Sequence, residues 1–228
     1  MSDMTIPILY EDKDTLVIDK PSGLLSELSE TAPSAVKEML AHVGGGFLSP
    51  ITRLDREVSG VMLLAKNKKS AAYYTAMIAE REEIKKEYLA VAEGHIDPAS
   101  GEMHDLLFKD SAKNKSYVVS RMRRGVKDAS LSYTVLGERE EKEKHLSLVR
   151  VLLHTGRTHQ IRVQLSSRRH PLVGDRKYGG APDFPMGLLA YRLSFRLPSG
   201  KRITCTSTLW QEAPFAAFSA LFAEDAAP

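Results

Sequence analysis

Hydrophobic and polar residues follow a strand-like period along most of the chain, and a helical period in fewer places. The runs that predict strands are 8–10, 15–19, 61–65, 86–95, 131–136, 146–153, 188–197 and 202–206. Helical spacing is found at 34–43, at 70–81, around Ile161 and Leu165, and near 215–222. Strands outnumber helices without regular alternation between the two, so we predict an α+β fold with a mixed, largely antiparallel central sheet flanked by helices.

Local signals set the predicted boundaries of three of these elements. Thr158 is a suitable N-cap for the helix that contains Ile161 and Leu165. The charged segment 138–144 predicts the turn between two strands, and the Pro-Ser-Gly sequence at 198–200 predicts a hairpin.

Composition places the chain among ordinary globular proteins. Of its 228 residues, 43% are hydrophobic and 27% are charged, and the only cysteine is Cys205. No apolar run reaches the roughly 18 residues of a membrane span, and the N-terminus lacks the pattern of a signal peptide. We therefore expect one domain over residues 1–228, monomeric, without contact with a membrane, in the reducing cytoplasm.

The net charge of +3 is distributed unevenly. Segment 109–127 holds seven basic residues against one acidic residue, and segment 150–177 has the same balance. Local basic surface of this kind is typical of proteins that bind phosphate backbones. Arg121, Arg123 and Arg124 are therefore candidate contacts to a polyanion, with solvated loops as the structural alternative for 109–127.

The sequence Arg-Leu-Asp-Arg-Glu-Val-Ser-Gly, residues 53–60, lies directly before an apolar strand. Its Asp55 is flanked by Arg53 and Arg56, and nearby positive charge favours the ionised form of a carboxyl group. An ionised and oriented carboxylate can act as a nucleophile. The alternative interpretation is a cluster of surface salt bridges.

A second motif, His-Thr-Gly-Arg-Thr-His-Gln-Ile-Arg, covers residues 154–162. Its glycine-containing turn opens a helix with free backbone N–H groups, and Arg157 and Arg162 add guanidinium donors. The pattern suits binding of phosphate or carboxylate, and the alternative is a capped surface helix.

Several classes of enzyme lack their motifs in this sequence. His154 and His159 are five residues apart, and no cysteine or glutamate spacing completes a zinc site with them. The chain contains no P-loop, no dinucleotide-binding fingerprint and no Gly-x-Ser-x-Gly elbow. We expect neither a metal nor a cofactor.

Five stretches, in order, resemble the RluA family of RNA pseudouridine synthases. They are 8–26, 53–66 with its Arg-Leu-Asp-Arg-Glu, 86–90 with Lys-Glu-Tyr, 155–179 with His-Pro-Leu-Val-Gly-Asp, and 191–195. The resemblance covers roughly residues 8–205 and implies isomerisation of uridine in RNA.

The resemblance also implies roles for individual residues. Asp55 matches the aspartate that attacks the target uridine, Tyr88 the tyrosine that stacks on the uracil, and Arg162 the arginine paired with the aspartate. Arg53 matches an arginine that fills the gap left by the flipped base. The candidate contacts to RNA are Arg53, Arg157, His159, Gln160, Arg121, Arg123 and Arg124. Flipping is needed because a stacked base shields its glycosidic bond.

The resemblance further implies a catalytic domain without the small N-terminal RNA-binding domain of many relatives. Ribosomal RNA and transfer RNA both remain open as substrates. Two other functions also stay open. One is a catalytically silent RNA-binding or RNA-folding protein with the same fold, and the other is a glycosidase that uses two carboxylates, for which Glu57 is the local second candidate.

Overall fold

The computed structural model describes residues 5–80 and 84–221. These residues form two compact units. The first unit comprises the described chain up to Lys86 together with Leu189–Leu209, and the second comprises Glu87–Leu188 together with the described chain from Trp210.

The described residues form eleven strands, three α-helices and two 3₁₀ segments. The strands are β1 (Ile8–Glu11), β2 (Thr15–Lys20), β3 (Ser49–Pro50), β4 (Ser59–Ala65), β5 (Lys85–Glu93), β6 (Ser100–Asp110), β7 (Lys115–Val119), β8 (Val126–Glu141), β9 (Lys144–Leu153), β10 (Leu188–Arg196) and β11 (Arg202–Thr206). The helices are α1 (Ala35–His42), α2 (Lys68–Glu80) and α3 (Gln160–Ser167), and the 3₁₀ segments are Leu209–Gln211 and Phe215–Leu221.

In the first unit the strand order is β1-β2-β4-β10, with β11 beside β10 and β3 beside β4. Strand β2 is antiparallel to both β1 and β4, whereas β4 and β10 run parallel. Strand β11 returns antiparallel to β10 after the hairpin at Pro198–Gly200. The pairing confirms the predicted mixed and largely antiparallel sheet.

Helices cover both faces of this sheet, which explains why β2 is buried along its whole length. Leu16 and Ile18 point to the face covered by α1, together with Met62. Val17 and Leu63 point to the opposite face, where α2 packs. Because side chains alternate between the faces of a sheet, a strand covered on both sides needs the continuous apolar run that predicted it.

The second unit has the strand order β5-β9-β8-β6-β7. Helix α3 packs against β6 and β7, where Val163 and Tyr178 join Leu107 and Ala129 in a small core. The long strand β8 pairs antiparallel with β6 on one side and with β9 on the other.

Strands β6 and β7 were absent from the sequence prediction, and the predicted turn at 138–144 was too long. Strand β8 continues to Glu141 and strand β9 begins at Lys144, so only Lys142 and Glu143 form the turn. Both have positive φ, 48° and 61°, as a two-residue hairpin turn requires. Many cross-strand neighbours in this exposed hairpin are charged. The residues therefore lack the alternation of apolar and polar positions by which a strand is predicted from sequence.

The N-cap of α3 was also predicted wrongly. His159, with φ of 53°, occupies the cap position instead of Thr158. The Gln160 side chain accepts a hydrogen bond from the Arg157 N–H and fixes residues 155–159 as a turn, so the helix begins one residue later. Among the described residues, no helix combines the length and apolar character needed to cross a membrane.

The parallel pairing of β4 with β10 depends on Gly60. Its φ is +117°, and a Cβ atom there would lie 2.2 Å from the Ala190 carbonyl oxygen. We expect Gly60→Ala to lower the free energy of unfolding by about 1–3 kcal/mol more than positive φ alone would, because the strands must separate. The measurement is urea unfolding.

Gly200→Ala is the matched control, since Gly200 has a φ of +88° and open space around its Cβ position. This variant carries only the cost of positive φ, about 1–2 kcal/mol. Equal losses in the two variants would show that the close approach to Ala190 is unimportant.

Candidate active site

Asp55 lies in the loop between β3 and β4, and the residue before it is fixed by Ser26. The Leu54 N–H donates to Ser26 Oγ at 2.9 Å, and Ser26 Oγ donates to the Leu54 carbonyl at 2.7 Å. Both Ser26 and the Leu54 side chain are buried. Two hydrogen bonds on one residue hold the backbone next to Asp55 in a single position.

The other side of the loop is attached to the turn that follows β2. The Gly23 N–H donates to the Arg56 carbonyl at 2.8 Å, and Arg56 Nε donates to the Gly23 carbonyl at 3.0 Å. Ser22 Oγ donates to the Glu57 carbonyl at 2.8 Å. Half-buried Asp55 is therefore held on both sides, and its own carbonyl accepts the Val58 N–H at 3.1 Å.

The two arginines that flank Asp55 have other partners within this unit. Arg53 Nη1 lies 2.8 Å from Glu27 Oε1 in a largely exposed ion pair, and Arg56 bonds the Gly23 carbonyl. That their positive charge favours the ionised form of Asp55 stays a prediction from the sequence.

Lys20 supplies a buried positive charge beneath the loop. Its ammonium group donates to the Pro21 and Leu24 carbonyls at 2.9 and 3.0 Å, and the side chain has no exposed surface. Burial lowers the pKa of Lys20 to about 8, and the negative charges of Asp55 and Glu57 oppose this shift. Sequence reasoning missed Lys20, whose only signal was its position before Pro21 at the end of β2.

Arg162 and Tyr88 belong to the second unit. Tyr88 is half-buried on β5, and Arg162 is buried on α3. Asp175 binds the Arg162 guanidinium with both oxygens, from Nε to Oδ2 at 2.7 Å and from Nη2 to Oδ1 at 2.8 Å. This bidentate pair fixes the orientation of the guanidinium plane.

Tyr178 connects the pair to the N-terminus of α3. Its ring lies 5.3 Å from the Arg162 guanidinium carbon, and its N–H donates to Asp175 Oδ1. The Tyr178 hydroxyl lies 2.9 Å from His159 Nδ1 and accepts the Ser116 N–H at 2.8 Å. His159, predicted to contact substrate, is thus also part of a buried network that supports Arg162.

Gln160 is used inside the turn that precedes α3. Its amide oxygen accepts Thr155 Oγ1–H at 2.7 Å and the Arg157 N–H, and its amide nitrogen donates to the Ser130 carbonyl. The N–H of Arg157 is therefore occupied, in contrast to the free donors expected from the sequence. The substrate contact of Gln160 stays a prediction.

The basic candidates of the second unit include three arginines of one exposed loop and Arg157. Arg121, Arg123 and Arg124 are exposed in the loop between β7 and β8. The Arg123 guanidinium lies over the Phe108 ring at 5.1 Å. Arg157 Nε donates to the carbonyl of Asp128, close to the start of β8. Arg157, from the second basic segment of the sequence, is thus hydrogen-bonded to strand β8 four residues after Arg124.

Comparison with known proteins decides the family. A model of the RNA pseudouridylate synthase family matches residues 14–167. The chain belongs to this family. The match includes the Asp55 loop, Tyr88 on β5 and Arg162 on α3.

Individual relatives agree with this family assignment. An uncharacterized RNA pseudouridine synthase of Aquifex aeolicus is 35% identical over 214 residues, covering 85% of this chain and 66% of the relative. Ribosomal large subunit pseudouridine synthase D of Yersinia pestis is 36% identical over 191 residues, covering 81% of this chain and 56% of the relative. The chain therefore matches between about half and two thirds of the length of these relatives.

A solved structure supports the fold. Human RNA Pseudouridylate Synthase Domain Containing 1 superposes with a TM-score of 0.78 over 98% of this chain and 97% of that chain, at 24% identity. The α+β fold expected from the motifs is confirmed as that of pseudouridine synthases.

In this member of the family, Lys20 is expected to lose its proton near pH 8 instead of 10.5. The Asp55 carboxylate favours the charged lysine, so Asp55→Asn should shift the midpoint further down. The measurement is an NMR titration of the Lys20 side chain. Glu27→Gln removes an exposed carboxylate of the same unit and should leave the midpoint unchanged; equal midpoints in wild type and Asp55→Asn would contradict the charge interaction.

Asp175 is expected to contribute strongly to stability through Arg162. Asp175→Asn removes the carboxylate charge that binds the buried Arg162 guanidinium in a bidentate pair, which should cost about 3–5 kcal/mol in the free energy of unfolding. Glu27→Gln is the control, because Glu27 pairs with Arg53 at 2.8 Å and both side chains are largely exposed. A surface pair contributes about 0–1 kcal/mol. The free energy of unfolding is measured by chemical denaturation. Similar losses in the two variants would contradict the large contribution to stability assigned to Asp175.

Proposed function

We propose that this chain is an RNA pseudouridine synthase in which the Asp55 carboxylate is the nucleophile. The observation that carries the proposal is the immobilised Asp55 loop, which Ser26 fixes on one side and the turn after β2 fixes on the other. A nucleophile gains most when its geometry is set before substrate binds, because little orientational entropy is then lost in the transition state. The type of reaction that we propose for this carboxylate follows from the family to which the chain belongs.

In the proposed reaction the carboxylate attacks the target uridine while the bond between N1 of uracil and C1′ of ribose breaks. The uracil rotates, a bond forms between its C5 atom and C1′, and the bond to the Asp55 carboxylate breaks. The C5 proton leaves and N1 takes up a proton, so the product is an isomer of uridine and no oxidant is needed. Tyr88 stacks on the uracil and takes part in removing the C5 proton, and Arg162 balances the charge of the carboxylate.

The proposed substrate is structured RNA in which the target base is flipped out. The name of the Yersinia pestis relative supports ribosomal RNA of the large subunit, and transfer RNA is the other candidate. Arg53 fills the gap left by the base, and Arg157, His159 and Gln160 hold the nearby backbone. We further propose that the chain acts as a monomeric, single catalytic domain in the cytoplasm.

The reaction is tested by tritium release from RNA labelled at C5 of uracil, with ribosomal and transfer RNA transcripts in parallel. We expect wild type to release tritium and Asp55→Asn to lose at least about a thousandfold in rate, since the nucleophile is removed. Glu57→Gln is the matched control and should keep the activity of wild type.

The Glu57→Gln variant also distinguishes pseudouridine synthesis from the rival glycosidase reaction. A glycosidase that uses Asp55 and Glu57 would lose activity in both variants and would release free uracil. Equal tritium release by wild type and Asp55→Asn would refute the assigned nucleophile. Tight RNA binding without release from any RNA of the source cell would favour the binding-only function.

The loop with Arg121, Arg123 and Arg124 is proposed to bind the RNA backbone. Replacement of all three by Glu should weaken RNA binding and reduce the slope of log K against log salt by about 2, because up to three phosphate contacts are lost. Fluorescence anisotropy at several salt concentrations measures both quantities.

Lys37, Lys68 and Lys69 are exposed on the first unit, and their replacement by Glu changes the net charge equally. If this control variant loses as much affinity and slope as the arginine variant, the effect comes from net charge and the assigned loop is wrong.

A further inference from the structure

Three residues of the second unit, far apart in sequence, place their metal-binding atoms together. His95 follows β5, Glu138 lies on β8 and His145 lies on β9, and one ligand atom from each falls within 4.8 Å of the others. His95 Nδ1 lies 2.9 Å from Glu138 Oε1, and His145 Nε2 lies 3.1 Å from Glu138 Oε2. We propose that these three side chains form a surface site for a divalent transition-metal ion, with Zn²⁺ as its best-fitting occupant.

The backbone around the cluster is fixed by hydrogen bonds that do not depend on the three proposed ligand side chains. The Gly94 N–H donates to the His145 carbonyl at 2.8 Å, and Ser147 Oγ donates to the Gly94 carbonyl at 2.7 Å. These bonds attach the segment with His95 to strand β9. The register of β8 and β9 pairs Glu138 with Ser147 and Glu140 with His145, so all four side chains point to one face.

The surroundings of the ligands are those of a metal site. His145 directs Nε2 towards Glu138, while its Nδ1 lies 2.8 Å from Glu140 Oε1. Histidines that bind metals nearly always use the second ring nitrogen for a carboxylate or carbonyl, which fixes the tautomer. Ser147 Oγ, whose hydrogen is directed to the Gly94 carbonyl, lies 3.2 Å from Glu138 Oε1.

The types of ligand select the metal. Imidazole nitrogens favour zinc, copper, nickel and iron, whereas magnesium and calcium prefer sites made entirely of oxygen. Two histidines and one glutamate form a known set of three protein ligands for Zn²⁺, with the remaining position open to water. The ion would connect the segment after β5 to the hairpin of β8 and β9.

The experiment uses the complete chain without a histidine tag, stripped of metal by chelation, and titrates it with Zn²⁺ in a calorimeter. Wild type is expected to bind one Zn²⁺ per chain, with a higher melting temperature in excess Zn²⁺. His95→Ala and Glu138→Gln should each abolish stoichiometric binding and the rise in melting temperature. Glu140→Gln keeps all three ligands and should weaken affinity by about 10–100-fold.

His104→Ala is the matched control, because His104 is exposed and contacts one carboxylate, Glu102, at 2.9 Å. It should bind Zn²⁺ as wild type does. The proposal is wrong if wild type binds less than one ion per chain, or if His95→Ala binds Zn²⁺ as tightly as wild type. His95 is an exposed side chain outside the strands, so its replacement tests the site without disturbing the sheet.

Discussion

The antiparallel pairing of β2 with β4 is the constraint on which the proposed nucleophile depends. Its register places Lys20, the last residue of β2, opposite Gly60 near the start of β4. The turn after β2 and the loop before β4 are therefore neighbours, and hydrogen bonds from Ser22, Gly23 and Ser26 fix the loop that carries Asp55. Burial of both strands between two helices makes a shift of register costly, because it would exchange the two apolar faces.

The second unit uses a different means to fix its candidate residues. Arg162 is held by a bidentate carboxylate, and Tyr178 links that pair to His159 and to the start of β7. A buried ion pair contributes little net stability compared with apolar packing, but it holds a charged group in one orientation when every partner is satisfied. That property suits an arginine whose proposed role is to face a carboxylate.

The sequence predicted what depends on periodicity and left out what depends on tertiary contacts. The buried run of β2 and helix α1 were found because apolar spacing is a local signal. Strands β6 and β7 were missed because charged, partly exposed residues conceal their alternation. The family resemblance assigned roles to Asp55, Tyr88 and Arg162. It assigned none to Lys20 or Asp175, which lie within matching stretches but whose roles arise from burial and from partners distant in sequence.

The central claim is that Asp55 makes this chain an RNA-modifying enzyme, and cellular RNA tests it most directly. Pseudouridine is mapped in ribosomal and transfer RNA from cells that lack the protein, and from the same cells supplied with wild type or Asp55→Asn. We expect at least one pseudouridine to disappear in the deficient cells and to return only with wild type. Return of that pseudouridine with Asp55→Asn would contradict the assignment of Asp55 as the nucleophile, and an unchanged map in the deficient cells would contradict the proposed activity itself.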